Sequence, residues 1–250
     1  MPHLRGKYKF MTIDVLGEAL LDFQSGKRTT DITTFMTLNN REVAESELLP
    51  LPYLFREYRE MPALEQRALD LCRGTVLDIG CGAGSHSLYL QQKGLAVTAL
   101  DRSKGAVETC IRRGLNNCVH ANITDFKNAR FDTLLLLMNG IGLAGTLKKL
   151  DFLLAHFKSL LNPGGQLLFD SSDIIYMFDQ DPDGGYRLPG NSYYGEVIFQ
   201  LEYKGRTGDP FPWLYLDYPL LQKKAKGRNL HCELVQKGDY FNYLTRITLK

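Results

Sequence analysis

Three glycines stand two positions apart in the segment TVLDIGCGAGSHSLYL, which spans residues 75–90. Gly80, Gly82 and Gly84 follow a short apolar run and precede a predicted helix. Glycine permits positive φ and lets a ligand touch bare backbone, so three in register favour a nucleotide-like ligand over a plain turn. Cys81, between two of them, is interpreted as a small filler of the loop, because nothing nearby indicates a reactive thiolate.

Two aspartates accompany the glycines. Asp78 precedes the first glycine, where a carboxylate would repel a pyrophosphate but attract an ammonium group. Asp101 ends the next apolar run, where an acid is placed to accept both hydroxyls of a ribose. The glycines are spaced GxGxG, and Ser85 stands where the dinucleotide fingerprint has its third glycine. A ribose beside one acid and an amine beside the other describe S-adenosylmethionine better than NAD.

Alternating strands and helices position these residues. Apolar runs that are nearly continuous predict strands buried on both faces, and their alternation with helices predicts a doubly wound, mostly parallel α/β sheet. Ser103 is a predicted N-cap, and NPGG ends the helix that follows residue 146. The predicted strands are TVLDI, LAVTALD, CVHA, FDTLLLLMN and QLLFDSS, and NLHCELVQ and YFNYLTRITL are expected to complete the sheet.

The regions outside this alternation predict a cap. Apolar residues at helical spacing before Gly26 and after Pro62 predict a mostly helical cap over residues 1–73, followed by the α/β domain over 74–250. Residues 179–219 are rich in proline, glycine and aromatic residues. Within them a period-two pattern predicts a strand that pairs with WLYLDY through RTGDPFP, which forms a β-hairpin insertion.

Composition excludes several classes of protein. A chain of 250 residues, 44% hydrophobic, can bury a large core. Its net charge of +2 gives no strongly basic surface of the kind that binds nucleic acid, so no nucleic acid is expected as a partner. No apolar stretch approaches ~18 residues, and MPHLRGKYKF lacks the apolar core of a signal peptide, so no membrane span or secretion is expected. The five cysteines show no CxxC spacing and the five histidines no HxxxH pair, so we expect no metal site and a cytoplasmic location.

Four segments carry a family resemblance: VLDIGCGAG, VTALD, FDTLLLLMNGIG and LNPGGQLLFD. Together they resemble the class I S-adenosylmethionine-dependent methyltransferases over about residues 62–175. LPYLFREYREMPALEQRAL and the hairpin ending in WLYLD are similar to a bacterial branch of small-molecule methyltransferases. The resemblance implies a seven-stranded Rossmann-like sheet, S-adenosylmethionine as cofactor and methyl transfer to a small molecule. NGIG stands where methyltransferases of DNA or glutamine have an NPPY-type motif, which disfavours those substrates.

The resemblance also implies roles for single residues. The glycine loop would lie under the methionine moiety, with Asp78 near its ammonium group and Asp101 at the ribose. The adenine would lie beside Arg102, Asn122 and Ile123, and methyl transfer would occur near Met138 and Asn139. The implied cofactor-binding residues are Asp78, Gly80, Cys81, Gly82, Gly84, Asp101, Arg102, Asn122, Ile123, Met138 and Asn139.

Methyl transfer from a sulfonium needs alignment more than acid–base chemistry, so we expect an aromatic-walled acceptor pocket over Asn139. The candidate substrate-binding residues are Tyr53, Asn139, Tyr193 and Trp213, with Tyr194 and Tyr215 as further candidate walls. The alternative that each aromatic packs only the core of the cap stays open. Asp217 or a tyrosine is a candidate base, but no catalytic residue is assigned, and the oligomeric state is left open.

Three other functions stay open at this point. The chain could bind S-adenosylmethionine without turnover, or it could be an NAD-linked oxidoreductase. Within the methyltransferases, RNA or protein is the alternative acceptor. The short basic segments YKGR and QKKAKGR are interpreted as solvated faces, which disfavours RNA.

Overall fold

The computed structural model describes residues 13–38, 45–188 and 192–250, which form a large sheet flanked by helices and a smaller antiparallel sheet. The segment MPHLRGKYKF lies outside the described residues. In chain order the elements are α1 (Val15–Gln24), β1 (Ile32–Leu38), β2 (Glu45–Leu49), α2 (Leu51–Leu54), α3 (Ala63–Leu71), β3 (Thr75–Ile79), α4 (Ser85–Gln92), β4 (Ala96–Asp101), α5 (Lys104–Arg112), β5 (Cys118–His120), β6 (Phe131–Leu136), α6 (Leu147–Leu160), β7 (Leu161–Ser172), β8 (Glu196–Tyr203), β9 (Arg206–Thr207), β10 (Phe211–Leu214), α7 (Tyr218–Lys226), β11 (Leu230–Lys237) and β12 (Asn242–Leu249). Short 3-10 helices span Tyr58–Glu60, Gly140–Ala144 and Ile175–Met177.

The large sheet has seven strands in the order β11-β12-β7-β6-β3-β4-β5. Strands β3 to β7 are parallel to their neighbours, and β12 runs antiparallel to both β7 and β11. This topology confirms the predicted doubly wound, mostly parallel sheet. The chain leaves β3 first towards β4 and β5 and later returns to β6 and β7, so strand order reverses between β3 and β6. Ligands of such sheets bind beyond the carboxyl ends of the strands at that point.

Successive residues of the central strands pack on opposite faces of this sheet. Leu134 and Leu136 of β6 join one buried cluster with Leu154 and Phe157 of α6. Leu135 joins a different buried cluster with Leu69 of α3. Because helices cover both faces, neither side of the strand is polar, and this is why the strand is a continuous apolar run in the sequence.

The predicted helical cap over residues 1–73 is wrong in part. Helices α1, α2 and α3 are present, but β1 and β2 are strands of a second sheet of order β10-β8-β1-β2, with β9 paired to β8. We call this the cap sheet. Strand β1 reads ITTFMTL, whose β-branched residues favour a strand, and it pairs antiparallel with β8 from Thr33 to Leu38. The predicted hairpin of β8 and β10 is confirmed. Its strand β8 is also the partner of β1.

Helix α1 is anchored beside the first half of the large sheet. The Asp14 carboxylate accepts hydrogen bonds from the Gly17 N–H at 3.0 Å and from the Gly105 N–H at 3.0 Å, so one side chain caps both α1 and α5. A Cβ on Gly105 would lie 2.5 Å from the backbone of Gly17. The absence of side chains at these two glycines therefore lets the helices touch backbone to backbone, next to the end of β4.

Candidate active site

The glycine turn joins β3 to α4 and leaves bare backbone exposed on one side. Gly80 and Gly82 have φ angles of +77° and +54°, which L side chains rarely adopt. Among the residues that the structure describes, a Cβ on Gly82 would meet no atom within 4 Å, and one on Gly80 would meet only Leu143 Cδ1, at 3.9 Å. The main chain at both positions therefore faces open space that a ligand can enter.

Gly84 and Cys81 occupy the opposite, packed side of the turn. A Cβ on Gly84 would lie 2.8 Å from the Sγ of Cys110 and 2.8 Å from a methyl group of Leu115. Cys81 is buried with its Sγ 3.7 Å from that of Cys110. The hydrogen bond with the Cys110 thiol, together with burial, raises the pKa of Cys81 well above its ordinary value, as expected for the loop filler inferred from the sequence. The cofactor-binding role of Gly84 stays a prediction, and its closest described contacts are to the protein interior.

Asp101 lies at the carboxyl end of β4 and is held against the turn. Its Oδ2 accepts a hydrogen bond from the Gly82 N–H at 3.0 Å, and its Oδ1 accepts one from the Ser103 N–H at 2.8 Å. Burial raises the pKa of this carboxyl, while the two backbone N–H groups favour its charged form. Each carboxylate oxygen keeps a second lone pair, so Asp101 can still accept two hydroxyl groups from one ligand.

Asp78 lies deeper than Asp101. It is 1% exposed, and its Oδ2 accepts a hydrogen bond from the Ser87 hydroxyl at 2.6 Å. Burial raises the pKa of Asp78, and the nearby His86 opposes that shift. In this structure the carboxylate joins the end of β3 to the first turn of α4, and its predicted contact with an ammonium group stays a prediction.

The predicted adenine residues lie at the β4–β5 edge. Arg102 is exposed, and its guanidinium lies over the Phe211 ring of the cap sheet at 5.6 Å from the centroid. The Oδ1 of Asn122 accepts a hydrogen bond from the Thr124 N–H, so this oxygen is shared with a local turn. The side chain of Ile123 is buried in the core, which leaves only its backbone for a ligand contact.

The segment after β6 has an unusual backbone. Met138 and Asn139 have φ angles of +61° and +55°, a conformation that costs energy for residues other than glycine. The Oδ1 of Asn139 is buried and makes no hydrogen bond within the described part of the chain. A buried acceptor without a partner is costly, and this oxygen is free to accept a hydrogen bond.

Asp170, at the carboxyl end of β7, is a site residue that the sequence interpretation missed. Both of its carboxylate oxygens accept the Asn139 N–H, at 3.0 and 3.1 Å. Burial raises its pKa to about 6, and the carboxylate of Glu65 acts in the same direction. The sequence carried a signal for it, because an acid follows the apolar run QLLF as Asp101 follows LAVTAL, and parallel strands bring their carboxyl ends to one edge.

A buried ion-pair network lies behind this edge. Arg56 and Glu65 are 6% and 4% exposed, and two guanidinium–carboxylate hydrogen bonds join them. The Nε2 of His86 lies 2.7 Å from the Glu65 carboxylate, and the Arg56 guanidinium covers the Tyr53 ring at 3.8 Å. Burial alone would raise the pKa of Glu65, but His86 and Arg56 hold it below the ordinary value. The network fixes Tyr53 and the first turn of α4 relative to each other.

Glu65→Gln should destabilise the fold by about 3–5 kcal/mol, because it leaves the buried Arg56 without a counter-charge. Urea unfolding followed by circular dichroism measures this loss. The matched control is Glu108→Gln, since Glu108 pairs with Arg112 on the surface at 2.8 Å and such exposed pairs contribute less than about 1 kcal/mol. Equal losses in the two variants would contradict the structural role of the buried pair.

The predicted tyrosine walls are held by aspartates. The Tyr193 hydroxyl donates to Asp217 Oδ2 at 2.6 Å, and the Tyr194 hydroxyl donates to Asp173 Oδ1 at 2.7 Å. Burial, reinforced by these carboxylates, raises the pKa of both phenols well above the ordinary value, so they keep their protons. The other oxygen of Asp217 caps α7 by accepting from the Leu220 N–H at 2.9 Å. The structure therefore gives this candidate base a structural role.

Trp213 presses the cap sheet onto the loop after β6. A Cβ on Gly142 would lie 2.0 Å from Trp213 Nε1, so the indole packs directly on the glycine backbone. The Leu147 N–H donates to Glu196 Oε1 at 2.8 Å, and the Leu216 N–H donates to Ser171 Oγ at 3.1 Å. Phe211 of the cap sheet also contacts Arg102, which follows β4. Together these contacts place the cap sheet, and the segment that follows it, over the carboxyl ends of β4, β6 and β7.

Gly142→Ala should push the indole of Trp213 away from the loop, at a cost of about 1–3 kcal/mol for overpacking. Trp213 is the single tryptophan of the chain, so its fluorescence emission reports the displacement directly. Gly227→Ala is the control, because a Cβ there would meet only carbonyl oxygens at 3.5 and 3.6 Å. An unchanged emission spectrum in Gly142→Ala would show that the contact is not formed.

Other kinds of site find no support in the part of the chain that the structure describes. No three histidine, cysteine or acidic side chains converge there in a way that could hold a metal ion. None of the described helices has both the length and the apolar character needed to cross a membrane.

The chain is similar to known methyltransferases in both sequence and fold. Residues 76–165 match the family model of a methyltransferase domain. An S-adenosylmethionine-dependent methyltransferase from Bacteroides fragilis, solved in complex with S-adenosyl-L-homocysteine, is 37% identical, covers 94% of each chain and superimposes with a TM-score of 0.85.

Two further proteins match less of the chain. The cypemycin N-terminal methyltransferase of a Streptomyces species is 32% identical over 103 residues, which are 40% of this chain and 42% of that protein. This chain therefore spans less than half of that relative. The CcbJ methyltransferase of Streptomyces caelestis, at 14% identity, 77% and 94% coverage and a TM-score of 0.58, shares the fold.

Proposed function

Because the chain belongs to the S-adenosylmethionine-dependent methyltransferases, we propose that it transfers a methyl group from S-adenosylmethionine to a small molecule bound under the cap sheet. The observation that carries the proposal is the bare backbone at Gly80 and Gly82 beside the anchored carboxylate of Asp101. This combination suits a nucleoside, whose ribose needs an acceptor of two hydroxyl groups next to a main chain that permits close approach.

The residues around the turn would share the work of binding this cofactor. Asp101 would accept the ribose hydroxyls, Gly80 and Gly82 would lie under the methionine part, and Asp78 would attract its ammonium group. Arg102, Asn122 and the Ile123 backbone would border the adenine. When bound, S-adenosylmethionine supplies an activated methyl group on a sulfonium. The chain then contributes alignment of the acceptor, which can be worth several kcal/mol of the barrier.

The enclosed edge of the large sheet supports a small acceptor. Cap-sheet residues contact the loops after β4 and β6, and the segment that follows β10 contacts β7, so the region near Asn139 is roofed by protein. Tyr53, Tyr193 and Trp213 stand on elements that border this region, where aromatic faces can stabilise a cation. A roofed site of this kind suits a compact molecule better than the surface of an RNA or a folded protein.

Incubation with radiolabelled S-adenosylmethionine tests the proposal. The protein is mixed separately with metabolites below about 1 kDa, with RNA and with protein from one bacterial extract, and label transfer to each fraction is counted. We expect label in the small-molecule fraction only. Label confined to RNA or protein would show that the acceptor is that macromolecule and not a small molecule. The name of the cypemycin relative states an amino-terminal acceptor for that protein, and an acceptor of this kind would also be detected in this assay. Cofactor binding without transfer to any fraction would favour a non-catalytic binding protein.

A further inference from the structure

We propose that the methyl acceptor is an amine, which the carboxylate of Asp170 and the Oδ1 of Asn139 hold by its N–H groups, and that Asp170 takes the proton which the amine must lose. This inference rests on the proposed function, because it names the chemical class of the acceptor for that reaction.

The order of the strands separates Asp170 from the nucleoside end of the site. The glycine turn follows β3 and the ribose-binding Asp101 ends β4, whereas β6 and then β7 lie on the other side of β3. Asp170 lies near the carboxyl end of β7 and accepts the Asn139 N–H, so both residues lie beyond the glycine turn when viewed from Asp101. This pair is therefore on the side of the site away from the ribose.

The hydrogen-bonding groups of this pair select for a donor. A carboxylate only accepts hydrogen bonds, and the buried Oδ1 of Asn139 is an acceptor that has no partner among the described residues. The neighbouring cation, Arg56, is already engaged with Glu65 and the Tyr53 carbonyl. An alcohol brings one O–H donor, but a protonated primary amine brings three N–H donors and a positive charge. An amine therefore satisfies both acceptors and compensates the charge at the same time.

Asp170 also lacks a cationic partner among the ion pairs of the described residues. The titratable groups close enough to affect it are Glu65 on α3, His86 on α4, Tyr53 on α2 and Tyr215 after β10. Of these, only His86 can carry a positive charge, and its Nε2 is bound to Glu65. The pKa of Asp170 near 6 fits a carboxylate that is charged at neutral pH and can take up a proton.

The reaction balances with one proton accepted by Asp170. The acceptor enters as R–NH3+, and one N–H proton passes to the carboxylate, which leaves a lone pair on nitrogen. This lone pair forms the new N–C bond, while the C–S bond breaks and its electron pair stays on sulfur. The products are R–NH2+–CH3 and a neutral thioether, and the Asp170 proton passes to solvent when they leave.

Asp170→Asn tests the proposal, because the amide keeps an oxygen for the Asn139 N–H but loses the charge and the proton-accepting ability. Asp151→Asn, on the surface of α6, is the matched control. The probes are amine and alcohol pairs of equal shape, namely benzylamine with benzyl alcohol, cyclohexylamine with cyclohexanol and glucosamine with glucose. Methylation is followed by mass spectrometry, and S-adenosylhomocysteine affinity by calorimetry.

We expect methylation of amines and not of their alcohol partners. Asp170→Asn should lower kcat/KM for amines by about a hundredfold or more and change S-adenosylhomocysteine affinity less than about threefold. The wild-type kcat/KM should be level above about pH 6 and fall below it, where Asp170 is protonated. The residual activity of Asp170→Asn should lack this inflection and fall steadily as the pH is lowered, because only the free amine then reacts.

Several results would overturn the inference, and they separate it from the proposed function. Methylated alcohols would leave a methyltransferase with a different acceptor class, and full amine activity in Asp170→Asn would show that Asp170 neither holds the amine nor takes its proton. A loss of S-adenosylhomocysteine affinity of about tenfold or more in Asp170→Asn would assign the carboxylate to the cofactor's own ammonium group. Cofactor binding with no probe methylated counts against the amine, and an absence of cofactor binding in the wild type refutes the proposed function itself.

Discussion

Asp101→Ala is expected to weaken S-adenosylmethionine binding by about a hundredfold or more. The carboxylate would accept two ribose hydroxyls, and hydrogen bonds to a charged group contribute about 1.5–3 kcal/mol each. The variant also releases the Gly82 N–H, which Asp101 holds at 3.0 Å, so the turn loses part of its preorganisation. Isothermal titration with S-adenosylhomocysteine measures the change.

A second aspartate separates this effect from a general loss of loop anchoring. The Asp132 carboxylate accepts the Thr75 N–H at 2.8 Å and the Asn162 side-chain amide at 2.9 Å, so it anchors backbone much as Asp101 does. It lies at the start of β6, at the opposite edge of the sheet. Asp132→Ala should therefore leave cofactor affinity unchanged. If Asp101→Ala also binds with wild-type affinity, the ribose assignment is wrong.

Gly82→Val is expected to abolish cofactor binding. The described part of the chain leaves room for the new side chain, because none of its atoms lies within 4 Å of the Cβ position, but that same space is where the cofactor would lie on the turn. Binding should become too weak to detect in the calorimeter at millimolar ligand, a loss of more than about 4 kcal/mol for a micromolar ligand.

Strain at a positive φ must be separated from this steric effect. Gly94, after α4, has φ of +84°, and a Cβ there would also meet no described residue within 4 Å. Gly94→Val therefore carries the same backbone cost of about 1–2 kcal/mol away from the turn. Both variants should lose similar stability in thermal unfolding, and only Gly82→Val should lose binding. Saturable binding in Gly82→Val at wild-type affinity would show that no ligand lies on the turn.

The central strands and their ligand-binding turn could be predicted because their signals are local. A parallel strand covered by helices on both faces is an apolar run such as TVLDI, and the glycines that follow mark the turn itself. The Ser103 cap was equally local, since its hydroxyl accepts the Ala106 N–H three residues later. Each of these patterns is complete within about ten residues.

The cap sheet could not be predicted in the same way, because its pairing is non-local. Strand β1 pairs with β8, which lies more than 150 residues further along the chain. Residues 1–73 alone therefore do not contain the partner strand. ITTFMTL carries the β-branched residues of a strand, but the flanking segments have helical spacing and dominated the interpretation. Strand β1 is therefore stabilised by a partner from the other half of the cap sheet, which local sequence patterns do not reveal.

The contact between Asp170 and Asn139, where we propose that the acceptor binds, was not predicted for a related reason. The role proposed for Asp170 depends on its hydrogen bond with Asn139, which lies on the connection between β6 and α6. It also depends on burial, which no single segment of the sequence predicts. Conversely, Asp217 resembled a base in the sequence, and the structure places it at the start of α7 as a helix cap bonded to Tyr193. The chemical role of a carboxylate therefore depends on neighbours that sequence spacing does not reveal.

A crystal structure of the protein with S-adenosylhomocysteine is the most direct test of the cofactor site. We expect both ribose hydroxyls within about 2.6–3.2 Å of the Asp101 carboxylate, with the methionine part over Gly80 and Gly82 and the sulfur turned towards Asn139. A ligand bound elsewhere, or a turn between β3 and α4 that closes against neighbouring protein atoms and excludes it, would contradict the assignment.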